Sequence, residues 1–236
     1  MPHERGLTRV TLVENHVLFA EALDIALTLE GYAVSRVTID AQALRTDPLV
    51  RTIVDTRPNV VLLDLNLGPS TNGVSVIRPL TQIGIPAVVI TSSQDPARWG
   101  ECLDNGASTV ICKSKPLSAI LSVITLINEE HWHLPDEERE RLIAVFHEDK
   151  GQVQDCRARL ATLTPREREI LDELLRGRQV RQIAQDFVVS EATVRAQVKS
   201  ILAKMSVSSQ LAAVGLALRG HWPQPARREP DSLSLL

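Results

Sequence analysis

The stretch NVVLLDL at residues 59–65 sets the architecture of the first half of the chain. Its continuous apolar run is typical of a strand that is buried on both faces of a parallel sheet. Four further β-rich runs are separated from it, and from one another, by segments long enough for a crossover helix. They are TRVTLV (8–13), YAVSRVTI (32–39), PAVVITS (86–92) and STVICK (108–113). The pattern predicts an α/β doubly wound, five-stranded parallel sheet with helices on both faces.

Polar side chains stand at the carboxyl ends of four of these predicted strands. Glu14 and Asn15 follow the first strand, Asp64 lies in the third, Thr91 ends the fourth and Lys113 follows the fifth. In sheets of this type the functional crevice lies at the carboxyl ends of the strands. A carboxylate nucleophile, oxygen ligands for a dication, a hydroxyl and an ammonium together indicate phosphoryl transfer. Each residue alone is more often a turn former or a solvated strand end, so the indication depends on their joint placement.

With these residues in place, roughly residues 8–127 resemble the receiver domain of two-component response regulators, which has a flavodoxin-like fold. The resemblance implies a Mg²⁺ cofactor and a sensor histidine kinase as partner. The implied roles are phospho-acceptor for Asp64, metal ligands for Glu14, Asn15 and Asp64, and phosphoryl-stabilising groups for Thr91 and Lys113.

Three departures from the family pattern mark this receiver as atypical. Asn15 stands where the family usually has a second acid, and an amide removes one negative charge from a site for a hard dication. Gly73 follows Asp64 by nine residues, one more than the commoner spacing. Val110 replaces the aromatic residue that usually changes rotamer before the lysine. We therefore expect a weakened Mg²⁺ site, a reshaped loop and no aromatic switch.

The segment LTPREREILDELLRG at residues 163–177 opens a second module. Thr164 and Glu167 form a capping box at the start of a helix. A short helix follows over about residues 180–187, and after a three-residue connection Ser190 caps the next helix. Two helices joined by so short a turn predict a helix-turn-helix within an all-α, four-helix domain.

The second of these helices has one buried face and one basic face. Arg195 and Lys199 are four residues apart on a face that differs from the apolar stripe. Residues 157–221 carry a net charge of +5, which favours a polyanionic partner such as double-stranded DNA over an ordinary amphipathic surface helix. The apolar stripe consists of Val194, Val198, Ile201 and Met205.

Residues 163–220 closely resemble the LuxR-type output domain of the NarL/FixJ class. The arginine- and alanine-rich style, the DLNLG loop and the SSQLAAV ending are most similar to actinobacterial members. The resemblance implies that one group of residues enters the major groove of DNA and that another contacts the phosphate backbone. The major-groove residues are Arg195, Ala196 and Lys199. The backbone-contacting residues are Thr193, Gln197 and Lys204.

Between the two modules lies an acidic segment, residues 128–156, with a net charge of −6. From Leu142 onward, residues recur at heptad spacing over three repeats, with Asp149 interrupting an otherwise apolar row, which predicts a helix with a seam. The seam either pairs two linker helices in a homodimer or folds back onto the receiver. Its positions are Leu142, Phe146, Asp149, Val153, Cys156, Leu160 and Leu163, and the five proposed for a dimer seam are Leu142, Phe146, Val153, Cys156 and Leu160.

The 236 residues therefore divide into a receiver at 1–127, a helical linker at 128–162, a DNA-binding domain at 163–221 and a flexible tail at 222–236. No apolar run is long enough to span a bilayer, the N-terminus is too polar for a signal peptide, and the three cysteines include no Cys-x-x-Cys pair. We expect a protein of the cytoplasm without membrane contact. Nothing outside the Asp64 crevice resembles a substrate site, so we expect a regulator and not a metabolic enzyme.

The most direct interpretation is a transcriptional regulator. Phosphorylation of Asp64 would control dimerisation and the binding of an operator with two-fold symmetry. A second interpretation is a pseudo-receiver that responds to a ligand or a partner protein without phosphorylation, and Asn15 and Val110 favour it. A third is a protein-interaction adaptor whose basic module docks onto RNA polymerase or a partner regulator.

Overall fold

The computed structural model describes residues 8–38, 46–68, 72–128 and 134–223. The chain forms two compact units, residues 1–147 and 148–236. The last residue of the predicted run at 32–39, and almost all of the predicted tail at 222–236, lie outside the described residues. Each unit is described by itself.

The first unit contains the five-stranded parallel sheet that the sequence predicts. Its strand order is β2-β1-β3-β4-β5, and every neighbouring pair is parallel. The strands are β1 (Arg9–Val13), β2 (Ala33–Val37), β3 (Val60–Asp64), β4 (Ala87–Thr91) and β5 (Thr109–Cys112). The α/β doubly wound fold class is confirmed.

Five helices cover the two faces of this sheet. Alternate residues of β3 point into opposite cores: Val60 and Leu62 pack with α1 and α5, and Val61 and Leu63 pack with α2, α3 and α4. The helices are α1 (Val17–Leu29), α2 (Thr46–Asp55), α3 (Val74–Gln82), α4 (Pro96–Asp104) and α5 (Leu117–Asn128). Burial on both faces explains why the β3 sequence is continuously apolar and does not alternate.

A long helix, α6 (Asp136–Ala161), crosses the residue at which the two units divide. In the first unit, α6 packs closely on α4, because a Cβ atom at Gly100 would collide with the carbonyl oxygen of Leu142. The Arg139 guanidinium donates hydrogen bonds to the carbonyl oxygens of Leu103 at 2.8 Å and Ala107 at 3.0 Å. These contacts fix the first half of α6 against the end of α4.

The second unit contains the C-terminal part of α6 and four shorter helices around one aliphatic core. These are α7 (Pro165–Leu175), α8 (Val180–Asp186), α9 (Glu191–Lys204) and α10 (Gln210–Arg219). The Thr164–Glu167 capping box forms as predicted at the start of α7. The predicted all-α domain with a helix-turn-helix is confirmed.

The single chain itself covers several residues of the heptad seam. Leu142 is buried in the first unit, and Cys156 and Leu160 are buried in the second. Phe146 and Val153 are half-buried. The alternative in which the helix folds back onto its own chain therefore accounts for the burial of Leu142.

Among the helices within residues 8–38, 46–68, 72–128 and 134–223, none combines sufficient length with sufficient apolar character to cross a bilayer.

Candidate functional sites

An ion-paired cluster occupies the carboxyl edge of the sheet. The Nζ atom of Lys113 lies 2.9 Å from Oδ2 of Asp64 and 2.7 Å from Oε2 of Glu14. The side chains of Asp64 and Glu14 are only 3% and 4% exposed, and that of Lys113 is 15% exposed. The structure thus places the two carboxylates and the ammonium together, and the ammonium offsets one of the two buried negative charges.

The secondary structure fixes the position of each member of this cluster. Asp64 is the last residue of β3, and its Oδ1 atom accepts a hydrogen bond of 3.1 Å from the backbone N–H of Asn66. Lys113 directly follows β5, and its backbone N–H donates to the carbonyl oxygen of Thr91 at 2.7 Å. The Lys113 ammonium also lies 5.0 Å from the ring centroid of Phe19, within the range of a cation–π contact.

Thr91 ends β4 and is buried, with 4% exposure. Its Oγ1 atom accepts a hydrogen bond of 3.1 Å from the backbone N–H of Ser93. The hydroxyl therefore lies at the same edge of the sheet as Asp64, at the start of the connection to α4. Val110, the residue in place of the family's aromatic, is half-buried and packs against the core beneath α2, α3 and α4.

The loop after Asp64 closes through backbone contacts. Asn66 and Asn72 form an isolated antiparallel bridge, and the N–H of Gly73 donates to the carbonyl oxygen of Leu65 at 3.1 Å. A side chain at Gly73 would collide with the backbone of Asp64 and Leu65, so only glycine allows this approach. Residues 69–71, where the extra residue falls, lie outside the described residues.

Asn15 and His16 follow Glu14 at the exposed side of the cluster. Asn15 is exposed and lines a shallow pocket of about 170 Å³ together with Glu14 and Arg36. The sequence analysis did not single out His16, whose Nδ1 atom lies 3.8 Å from Oε1 of Glu14. Glu14, His16 and Asp64 each offer one ligand atom, and these atoms lie within 4.8 Å of one another. The position of His16, two residues after Glu14, was the signal that could have identified it.

The cluster suits a divalent cation because carboxylate oxygens are the preferred ligands of hard dications in proteins. Glu14 and Asp64 present two such carboxylates, and the amide of Asn15 adds a neutral oxygen nearby. Any cation bound there shares the carboxylates with Lys113.

Helix α9, the second helix of the helix-turn-helix, turns its apolar face toward the core of the second unit. The predicted stripe of α9 is buried: Val194 is 1%, Val198 5%, Ile201 0% and Met205 0% exposed. Ser190 caps α9, because its Oγ atom accepts a hydrogen bond of 3.1 Å from the N–H of Thr193.

The residues assigned to DNA differ in their exposure. Thr193, Arg195, Ala196 and Lys199 are exposed, whereas Gln197 is half-buried. Arg195 forms an ion pair of 3.0 Å with Glu191, one turn earlier in the same helix.

Lys204 takes part in a buried network that joins α7 to α9. Glu167 is 3% exposed, and its carboxylate accepts hydrogen bonds from Lys204 Nζ at 2.7 Å and Ser200 Oγ at 2.6 Å. The backbone N–H of Thr164 donates a third hydrogen bond to it, at 2.8 Å. Burial raises the pKa of Glu167, but these hydrogen bonds outweigh burial and lower it to about 2. The sequence analysis found Glu167 as a capping residue and missed its pairing with Lys204.

A parallel sheet with this cluster at its carboxyl edge, in a chain that also carries a helix-turn-helix, defines a DNA-binding transcriptional regulator of the response-regulator class. This is a class of regulators and not of enzymes. Comparison with family models agrees: residues 10–125 match the response regulator receiver domain, and residues 161–217 match the bacterial regulatory proteins of the luxR family. The chain belongs to the NarL/FixJ-class response regulators, as the sequence motifs predict.

Known relatives align along most of this chain. The transcriptional regulatory protein FixJ of Rhizobium meliloti (strain 1021) is 30% identical, over 89% of this chain and 95% of FixJ. The transcriptional regulatory protein DegU of Brevibacillus brevis is 25% identical, over 91% of this chain and 94% of DegU. A solved structure of the RcsB response regulator of Salmonella typhimurium is 20% identical, with a TM-score of 0.48, and the match covers 89% of this chain and 97% of RcsB.

Proposed function

We propose that Asp64 accepts a phosphoryl group and that its phosphorylation controls homodimerisation and operator binding in the cytoplasm. The observation that carries the proposal is the Lys113 ammonium, which contacts both Asp64 and Glu14 at a buried edge of the sheet. An ammonium in this position can move from the carboxylate to an oxygen of an incoming phosphoryl group. The buried hydroxyl of Thr91 ends the neighbouring strand and supplies a hydrogen-bond donor.

In this reaction a carboxylate oxygen of Asp64 attacks the phosphorus atom of the donor. The donor is the phosphohistidine of a sensor kinase or a small acyl phosphate. The new bond joins oxygen to phosphorus, and the bond from phosphorus to the imidazole or acyl oxygen breaks with its electron pair leaving on that group. Glu14, Asn15 and Asp64 would hold Mg²⁺, and the bound cation would supply charge neutralisation for the phosphoryl oxygens. Lys113 balances the remaining negative charge.

The output is sequence-specific binding of double-stranded DNA by two recognition helices in a dimer. Arg195, Ala196 and Lys199 read the major groove, and their exposure on α9 supports this assignment. Thr193, Gln197 and Lys204 contact the phosphate backbone. The ion pair of Lys204 with Glu167 supports an additional role for Lys204 in holding α9 on α7. The proposed domains span residues 1–127, 128–162, 163–221 and 222–236.

The test treats the purified chain and an Asp64→Asn variant with Mg²⁺ and acetyl phosphate. Intact mass measures the adduct, and light scattering measures the dimer fraction. We expect an adduct on the wild type alone, together with a rise in dimer and in affinity for DNA. Absence of the adduct under conditions in which a control receiver is phosphorylated contradicts the proposal.

A pseudo-receiver is the second candidate function, and two observations favour it. Asn15 removes a carboxylate from the cluster, and Asn15 also lines the pocket of about 170 Å³ beside Arg36. In this alternative a ligand or partner protein controls DNA binding, and the Asp64→Asn variant binds DNA as the wild type does. An adaptor that docks onto RNA polymerase would instead tolerate the loss of Arg195 and Lys199.

A further inference from the structure

We propose that Trp99 is a positioning residue that couples the phosphorylation site at the edge of the sheet to α4 and to the first half of α6. Its indole N–H holds the connection between β4 and α4, and a change at Thr91 reaches the helix through this connection. The inference rests on the proposed function, since phosphorylation of Asp64 would supply the change.

Ser93 links the hydroxyl of Thr91 to the indole of Trp99. The backbone N–H of Ser93 donates a hydrogen bond of 3.1 Å to Oγ1 of Thr91, and its carbonyl oxygen accepts one of 2.8 Å from Nε1 of Trp99. Ser93 and Trp99 are both half-buried, and hydrogen bonds that are shielded from water are electrostatically stronger than exposed ones. The backbone of one residue therefore connects the end of the strand with the start of the helix.

The first turn of α4 is tied to the same residue. The backbone N–H of Asp95 donates a hydrogen bond of 3.3 Å to Oγ of Ser93. Asp95 in turn caps α4, because its side chain accepts a hydrogen bond of 3.0 Å from the N–H of Ala97. Together with the indole of Trp99, these contacts join Ser93 to the helix at two points. A displacement of Ser93 therefore carries the start of α4 with it.

Helix α4 passes such a displacement to α6. Gly100, the residue after Trp99, lies so close to α6 that a Cβ atom there would collide with the carbonyl oxygen of Leu142. At the end of α4, the carboxylate of Asp104 lies 3.1 Å from Nε2 of His147. Closely packed elements transmit strain and do not absorb it. The first half of α6 therefore follows a movement of α4.

Thr91 is the point at which phosphorylation would act on these contacts. It is 4% exposed and follows Ile90, which pairs with Asp64 across the sheet. A hydroxyl has one hydrogen to donate, and an oxygen of a phosphoryl group on Asp64 would accept it. When Oγ1 of Thr91 turns toward that oxygen, the N–H of Ser93 either follows or loses its acceptor. Both results shift the carbonyl group that binds Trp99.

The experiment follows the indole N–H of Trp99 in the full chain. Proton–nitrogen correlation spectra are recorded before and after treatment with Mg²⁺ and acetyl phosphate, and Trp99→Phe identifies the Trp99 signal. We expect this signal to move in the wild type and to stay fixed in Asp64→Asn. Thr91→Val keeps the shape of the side chain and removes the acceptor, so it should move the Trp99 signal without any phosphodonor.

The same variants test the effect on the output. Trp99→Phe keeps an aromatic side chain and removes the N–H donor. It should form as much phosphoryl adduct as the wild type but reduce the phosphorylation-dependent rise in DNA affinity by at least about threefold. Trp222→Phe is the matched control, because the indole of Trp222 donates a hydrogen bond of 2.7 Å to Asp172 in the second unit. This control should keep the full rise. A purely structural Trp99 would affect thermal stability and leave the rise unchanged.

A phosphoryl adduct on the wild type with an unmoved Trp99 signal overturns the inference. A Trp99→Phe variant whose DNA affinity rises as much as that of the wild type also overturns it, and so does an equal loss in Trp222→Phe. The coupling and the proposed function can fail separately. If no adduct forms but Thr91→Val moves the Trp99 signal, the coupling stands and phosphorylation is excluded. If neither occurs, both are excluded.

Discussion

The ammonium of Lys204, in the last turn of α9, lies 2.7 Å from the carboxylate of Glu167 in the first turn of α7. The Glu167 side chain is 4% exposed, so the recognition helix is anchored to its neighbour by a buried charge. Ser200 donates to the same carboxylate, one turn before Lys204. The C-terminal half of α9 is therefore fixed on α7, while Thr193, Arg195 and Ala196 in its N-terminal half are exposed.

The ion pair between Glu167 and Lys204 makes the stability of the second unit sensitive to acid. The pKa of Glu167 falls from 4.5 in the unfolded chain to about 2 in the fold. The ionised Glu167 carboxylate therefore contributes fully to the free energy of unfolding above pH 4.5. This contribution is lost as the pH falls from about 4.5 to about 2. This change in the pKa of Glu167 corresponds to about 3 kcal/mol of the free energy of unfolding. Thermal melting of Glu167→Gln, followed by circular dichroism, should show a lower transition at pH 7 and a weaker acid dependence than wild type. Glu169→Gln, in an exposed pair on the same helix, is the control, and an equal loss there would exclude a special role for Glu167.

We predict that replacing Val188, in the turn between α8 and α9, stabilises the protein. Val188 is the one β-branched residue with positive φ, at 54°, in the part of the chain that the structure describes. It is also 90% exposed, so little packing compensates the unfavourable backbone. Val188→Asn should raise the free energy of unfolding by about 1 kcal/mol, because Asn adopts this conformation at lower cost. Val189→Asn serves as the neighbouring control, and a loss of stability in Val188→Asn would contradict the argument.

The contact between α4 and α6 predicts opposite effects for two glycine substitutions. Gly100→Ala places a methyl group against the backbone of Leu142, so we expect a loss of about 1–3 kcal/mol in urea unfolding. Gly151 lies within α6 with open space around it, and Gly151→Ala should gain up to about 1 kcal/mol from helix propensity. A Gly100→Ala variant as stable as the wild type would show that the close approach at Gly100 is not important for the fold.

We predict different effects on DNA binding for the loss of Arg195 and for the loss of Lys199, two exposed cations of α9. A binding site is first selected from random duplexes with the wild-type chain. Arg195→Ala should then lose about 1–3 kcal/mol of affinity and relax the preference at one base position, because a bidentate contact is lost. Lys199→Ala should bind all sequences more weakly and reduce the salt slope by about 1 if Lys199 contacts phosphate. Arg219→Ala on α10 is the control for the loss of a basic charge. Unchanged affinity in all three variants would favour the adaptor.

Restoring the missing acid should strengthen the Mg²⁺ site. Asn15→Asp adds a carboxylate beside Glu14 and should raise Mg²⁺ affinity by at least about tenfold, since the Coulomb energy of a unit pair near a protein surface is about 4 kcal/mol at 4 Å. Calorimetric titration measures the change. Asn15→Ser keeps the residue neutral and should not raise the affinity. An equal gain in both variants would show that charge is not the cause.

The elements of this fold were predictable where one local pattern carried the information. The apolar run at residues 59–65 was sufficient for β3, and the spacing of Val194, Val198 and Ile201 was sufficient for the buried face of α9. In both cases the side chains repeat with the period of the element they form, so the sequence carries the signal directly.

Contacts between distant residues were not predictable in this way. Glu167 meets Lys204, and Gly100 meets Leu142, only because separate helices pack together, and no local period records such a pair. The heptad spacing of the linker correctly marked buried positions such as Leu160, but the same spacing arises whether a partner helix or the chain itself covers them. His16 was not predicted, because the sequence pattern marks the strand ends and His16 lies in the turn between β1 and α1.

The first unit contains two buried thiols, Cys102 and Cys112, and the second contains Cys156. Two of the three lie within helices, Cys102 in α4 and Cys156 in α6. Burial raises the pKa of Cys102 to about 12, so the reactive thiolate is scarce while the fold is closed. An alkylating reagent reaches either sulfur only after a local opening of the surrounding helices. Peptide mass distinguishes the alkylation of Cys102 from that of Cys156. The two rates therefore report the local opening of each unit independently, without a label in the natural chain.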